Sequence, residues 1–96
     1  MKIEEIIGKT AVVDVIFENK DGEIVDRQDF AGMVTEISNK NGIVIANTAL
    51  NKAISLPVNA ADSFEPAKKG MKYRLPRTRV EVQDPDLFCK VTLIKE

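Results

Sequence analysis

Between Phe30 and Ala46 two apolar runs face each other across a short polar connector, and no other stretch limits so strongly what this chain can fold into. The runs are Phe30 to Ile37 and Ile43 to Ala46. The connector ends in Asn41-Gly42, the dipeptide that supplies the positive φ of a tight reversal. The stretch through Thr48 therefore reads as a β-hairpin. Gly32 interrupts the first run where a side chain would normally pack, and an isolated glycine in a strand marks a bend, a bulge or a close backbone approach. A strand bent at Gly32 lets a small sheet curl into a barrel.

The flanking segments agree with a barrel. Ile3, Ile6 and Ile7 recur at helical spacing before Gly8, which predicts a short amphipathic helix with Glu4 and Glu5 at its positive end. Thr10 to Glu18 alternates, with Ala11, Val13, Val15 and Phe17 on one face and Val12, Asp14, Ile16 and Glu18 on the other. Asp21-Gly22 turns it back into Glu23 to Gln28, which runs on through Asp29 to make one long curved hairpin. Ala53 to Leu56 is a short strand ended by Pro57, and Val58 to Gly70 reads as a plug or loop held by Phe64. Met71 to Leu75 and Thr78 to Gln83 are short strand segments around Pro76. Asp84-Pro85-Asp86 turns, and Leu87 to Ile94 alternates to the end. The expected fold is all-β, a small barrel of five to six strands with a short N-terminal helix, in a single domain over residues 1–96. Its core is predicted to hold Val13, Val15, Phe17, Val34, Ile37, Ile43, Ile45, Cys89, Val91 and Leu93.

Composition bounds the chemistry. With 96 residues, 44% hydrophobic and 30% charged, the chain suffices for one core without disulfide or metal staples. It has no histidine and one cysteine, which removes the usual zinc sets and the Cys/His and Ser/His nucleophilic pairs, so neither a metal nor another cofactor is expected. The segment Met1 to Ile7 lacks the pattern of a signal peptide. No apolar run approaches the roughly 18 residues of a membrane span, so the expected location is cytoplasmic, without membrane association. The net charge of −1 hides an asymmetry: residues 1–66 carry six Lys/Arg against eleven Asp/Glu, whereas residues 67–80 carry six basic residues and no acid.

Gly32, Val34, Ile37, Ile43 and Ile45 fall at the offsets of the first sequence motif of the Sm/LSm-like proteins, and together with the preceding short helix and strand they make residues 3–56 resemble that family. The resemblance implies an SH3-like or Sm-like barrel, a homo-oligomeric ring and RNA as a partner. The acidic and asparagine positions that help such proteins hold an RNA base are occupied here by Ser38 and Gly42, and the family's second motif has no counterpart after Ala53-Ile-Ser-Leu-Pro57.

Candidate site residues fall into three groups. Ser38, Asn39, Lys40 and Asn41 offer a polar pocket for RNA, but these residue types are equally what a turn requires. Lys68, Lys69, Lys72, Arg74, Arg77 and Arg79 can contact phosphates while Tyr73 stacks a base, against the plainer reading of a solvated basic face. Ala53, Ile54, Ser55 and Leu56 form an apolar edge strand of the kind that invites a partner, and a homo-oligomer is expected to use it. Cys89, in phase with Leu87, Val91 and Leu93, reads as a small core hydrophobe. Asp84 and Asp86 read as turn formers rather than cation ligands. The expected function is a non-enzymatic module that binds RNA or another anionic partner as a homo-oligomer. The alternative is a protein-interaction module, of a regulator or immunity type, that does not bind nucleic acid; no small-molecule substrate is indicated.

Overall fold

The computed structural model describes residues 2–47, 52–70, 72–75 and 81–94. Strand makes up most of it. A one-turn helix α1 (Ile3–Ile6) leads into β1 (Thr10–Glu18), β2 (Ile24–Ser38), β3 (Gly42–Asn47) and β4 (Lys52–Leu56). A 3-10 segment (Val58–Ser63) follows, then β5 (Phe64–Pro66), β6 (Lys72–Arg74), β7 (Glu81–Gln83) and β8 (Leu87–Ile94). Six strands form one sheet in the order β4-β3-β2-β1-β8-β5, and β6 pairs with β7 in a separate two-stranded sheet.

Strand β1 sits at the middle of the large sheet. On one side it runs antiparallel to β2, with Val13 opposite Phe30 and Asp14 opposite Asp29. On the other side it runs parallel to β8, with Val13 beside Cys89 and Val15 beside Val91. Two loop contacts fix that parallel register at its start: the Thr10 amide donates to Asp86 Oδ2 at 3.0 Å and the Asp86 amide donates to the Thr10 carbonyl at 3.0 Å.

One face of the sheet carries the core. Ile6, Ala11, Val13, Val15, Phe30, Val34, Ile43, Ile45, Leu56, Phe64, Leu87, Cys89 and Val91 are buried in one cluster with Ala60 of the 3-10 segment; Phe17, Ile37 and Leu93 pack against it partly exposed. The sheet must curl to gather these side chains. β4 ends at Leu56 and β5 begins at Phe64, joined mainly by the six-residue 3-10 segment, which advances about 12 Å at the usual rise. A flat sheet of six strands would hold its edges roughly 24 Å apart.

The register shift in this hairpin lies three residues after Gly32. Gly32 pairs regularly with Ala11 and Asn47, whereas the β2–β3 register shifts between Val34 and Glu36. The extra residue, Thr35, reverses the in-and-out alternation, so that Val34 and Ile37, three apart, both face inward opposite Ile45 and Ile43. The helix is also shorter in its burial than its spacing predicts: Ile6 is fully buried, while Ile3 and Ile7 are exposed. Four residues are too few for a continuous stripe.

Candidate functional site

The outer edge of β4 is unpaired among the described residues. β3 pairs with one side of it, and no strand among the described residues pairs with the other. Ile54 lies opposite Ile45 and Leu56 opposite Ile43, so both point to the core; Leu56 is buried there and Ile54 packs against it. Ala53 and Ser55 are exposed. The edge thus offers a partner its backbone groups and two small side chains, because the apolar side chains of the strand are already committed inward.

Ser38, Asn39 and Asn41 form the neighbouring β2–β3 turn. The Ser38 hydroxyl donates to Glu36 Oε2 at 2.8 Å, the Asn41 side-chain amide donates to the same oxygen at 2.7 Å, and the Asn41 backbone amide donates to Ser38 Oγ at 3.0 Å. These bonds hold the Glu36 carboxyl below its ordinary value of 4.5, Asn41 contributing most and Ser38 next. Ser38 and Asn41 are thereby occupied in shaping the turn, and Asn39 is exposed at its tip. Gly42 closes it at φ +74°, against the Leu56 carbonyl, and Ser55 Oγ donates to the Asn41 carbonyl, so the turn and the end of β4 are built as one unit.

The basic segment divides in two. Lys68 and Lys69 are exposed on the connector after β5, and the Gly70 amide donates to Asp84 Oδ1 at 3.0 Å. On β6, Lys72 and Arg74 are exposed and Lys72 Nζ lies 3.6 Å from Glu81 Oε2 across the hairpin. Tyr73, between them, turns the other way and stacks on Phe88 at 5.7 Å between ring centroids, 25° between planes. Ring and cations therefore occupy opposite faces of the strand, which separates the aromatic ring from the basic groups. Arg77 and Arg79 lie outside the described residues.

A site that the sequence reading did not single out lies under this hairpin. Tyr73, Leu75 and Val82 cover Val12, Ala31 and Phe88 on the outer face of the large sheet, making a second, smaller apolar cluster. Beside it opens a crevice of about 440 Å³. Its floor continues the rows of the sheet: Val12 lies between Ala31 and Phe88, and Asp14 lies between Asp29 and Lys90. Arg27 holds Asp14 by two hydrogen bonds, at 2.7 Å from Nη2 and 3.2 Å from Nε. Asp29 also lines the crevice, and its Oδ1 is sealed from solvent with no hydrogen-bond partner among the described residues. The signal available in the sequence was Asp14, a charge in the middle of the most apolar strand, together with the Asp21-Gly22 turn whose register brings Asp29 opposite it.

Cys89 is fully buried, and desolvation, with a smaller contribution from the Glu65 charge, pushes its thiol up to about 11. No protein-family model matches the chain, and no curated protein or solved structure is significantly similar to it.

Proposed function

We propose that this chain is a non-enzymatic binding module, a small Sm-like barrel that assembles with copies of itself through the outer edge of β4 and offers its basic segment to RNA or another polyanion. The observation that carries the reading is the open β4 edge. A row of backbone donors and acceptors with no partner among the described residues, at the rim of a curled sheet, favours strand addition by a partner. The turn network around Glu36 and Ser55 holds that edge in a fixed shape, which lowers the entropy cost of docking. The curl of the six-stranded sheet and the resemblance over residues 3–56 support the barrel. Exposed Lys68, Lys69, Lys72 and Arg74 support the polyanion. The core position and raised pKa of Cys89 take the one thiol out of nucleophilic chemistry.

Light scattering over a concentration series tests the assembly, with a mass several times the 10.7 kDa chain expected in the micromolar range. Hydrogen exchange of the Lys52–Leu56 amides locates it: alternate amides should gain protection as the mass rises. A monomer at every concentration, or exchange in β4 that ignores the mass, rejects the edge. For the polyanion, Lys68→Glu combined with Lys69→Glu should weaken retention on a polyphosphate matrix and flatten its salt dependence.

Exposed Ile24 and Ile94, which flank Glu18 on adjacent strands at the far end of the sheet, favour a second reading as a protein-interaction module. Association that resists salt and is lost in Ile24→Lys with Ile94→Lys identifies that reading.

A further inference from the structure

We infer that the crevice between the β6–β7 hairpin and the outer face of β1, β2 and β8 is a binding site for a small organic cation, an ammonium or guanidinium group carried on a flat apolar body. The site differs from the β4 edge and the exposed lysines, and none of its argument depends on assembly or on polyanion binding.

Size comes first. A cavity of about 440 Å³ falls within the range of small-ligand pockets, roughly 300–1,000 Å³. One end is apolar and aromatic: Tyr73 and Phe88 stack on each other, and Leu75 and Val12 are buried beside them. Such a wall accepts a ring or a short hydrocarbon chain and presents aromatic faces toward a nearby cation.

The other end is charged: Asp14 and Asp29 line it together with Arg27 and Arg74, and one carboxylate among them lacks an ion-pair partner among the described residues. Asp14 and Asp29 stand directly opposite each other on neighbouring strands, an arrangement in which like charges repel. Arg27 holds Asp14 through its two hydrogen bonds and also feels the Asp29 charge, more weakly and without a hydrogen bond. Asp29 has no such partner: Oδ1 is hidden from water and accepts no hydrogen bond among the described residues. The remaining cations nearby are Lys90, exposed and next to Asp14 on β8, and Arg74, exposed on the hairpin strand between inward-facing Tyr73 and Leu75. Neither forms an ion pair with Asp29 among the described residues. A carboxylate kept partly out of water beside an apolar cavity is destabilising until a cation meets it. A ligand with its positive group at Asp29 and its apolar body against Tyr73 and Phe88 satisfies both ends of the crevice at once.

The chain supplies its own reporter, because Tyr73 is the single tyrosine and there is no tryptophan. Three probes share a phenylethyl body and differ in charge: phenethylamine, 2-phenylethanol and 3-phenylpropionate. Titrated against the unaltered protein, phenethylamine should change Tyr73 emission saturably, phenylethanol should bind about tenfold more weakly or worse, and phenylpropionate should not bind. Asp29→Asn should erase the preference of the amine over the alcohol. Equal responses to the three probes, absence of saturation by the amine at millimolar concentrations, or an unchanged preference in folded Asp29→Asn overturns the assignment. The comparison of the three probes on the unaltered protein decides the matter even where the variant does not fold.

Discussion

Asp29 carries a conflict that single substitutions can expose. Its carboxylate faces Asp14 across the β1–β2 ladder and has one oxygen buried without a hydrogen-bond partner among the described residues, two features that each cost stability. Asp29→Asn removes the like-charge pair and should stabilise the unliganded protein by roughly 0.5 kcal/mol or more, read as a higher denaturation midpoint. A lower midpoint would mean that the carboxylate is stabilising after all. Gain of stability with loss of ligand preference is the pattern expected of a group kept for binding. Glu36 shows the reverse case. Its carboxyl is lowered by the bonds from Asn41 and Ser38, so the turn's contribution is fully present above the ordinary glutamate value and is lost as pH falls through the lowered one. The Asn41 side-chain amide signals should titrate with a midpoint below 4.5, and Glu36→Gln should abolish that titration.

At the scale of elements, two glycines with similar φ separate backbone strain from packing. Gly22, at φ +83°, has open space where a Cβ would stand, whereas a Cβ at Gly42, at φ +74°, would collide with the Leu56 carbonyl oxygen. Gly22→Ala should cost about 1–2 kcal/mol, the left-handed strain alone; Gly42→Ala should cost clearly more and should loosen β4, and equal costs in urea melts would refute the close approach. The elements themselves were largely legible in the sequence. Thr10–Glu18 and Leu87–Ile94 read from their alternation, and both hairpin turns read from Asp21-Gly22 and Asn41-Gly42, because period and turn chemistry are local. Gly32 reads as a bend, a bulge or a close backbone approach, and the register shift lies at Thr35 instead. A register shift depends on the partner strand, and the inward pair Val34 and Ile37 was its better marker. The β6–β7 hairpin was recognised as strands, but its seat on the outer face was not, since Tyr73 and Val82 show no local sign of which surface they cover. The crevice escaped for the same reason: Asp14, Asp29 and Tyr73 meet only after three separate pairings are made.

For the whole molecule, the hydrophobic pattern predicted an all-β architecture around one core, and the six-stranded sheet agrees. It did not predict that β1 and β8 run parallel, because parallel neighbours need no turn between them and leave no local mark. About half of the pairings that surround β1, those to β8, are therefore distant in sequence, and folding should be slow for a chain of this size, in the millisecond to second range. Stopped-flow refolding followed by Tyr73 emission measures this, and a microsecond phase carrying the full amplitude would contradict it. The same pairing has a consequence during synthesis. Thr10 and Asp86, whose mutual hydrogen bonds begin the β1–β8 ladder, are 76 residues apart. While the ribosome is still making the intervening chain, the apolar strand β1 has only β2 to lie against and one of its edges stays bare. Until β8 emerges the nascent chain carries an apolar edge open to chaperones and to aggregation, and a truncated translation product lacking β8 should be prone to both.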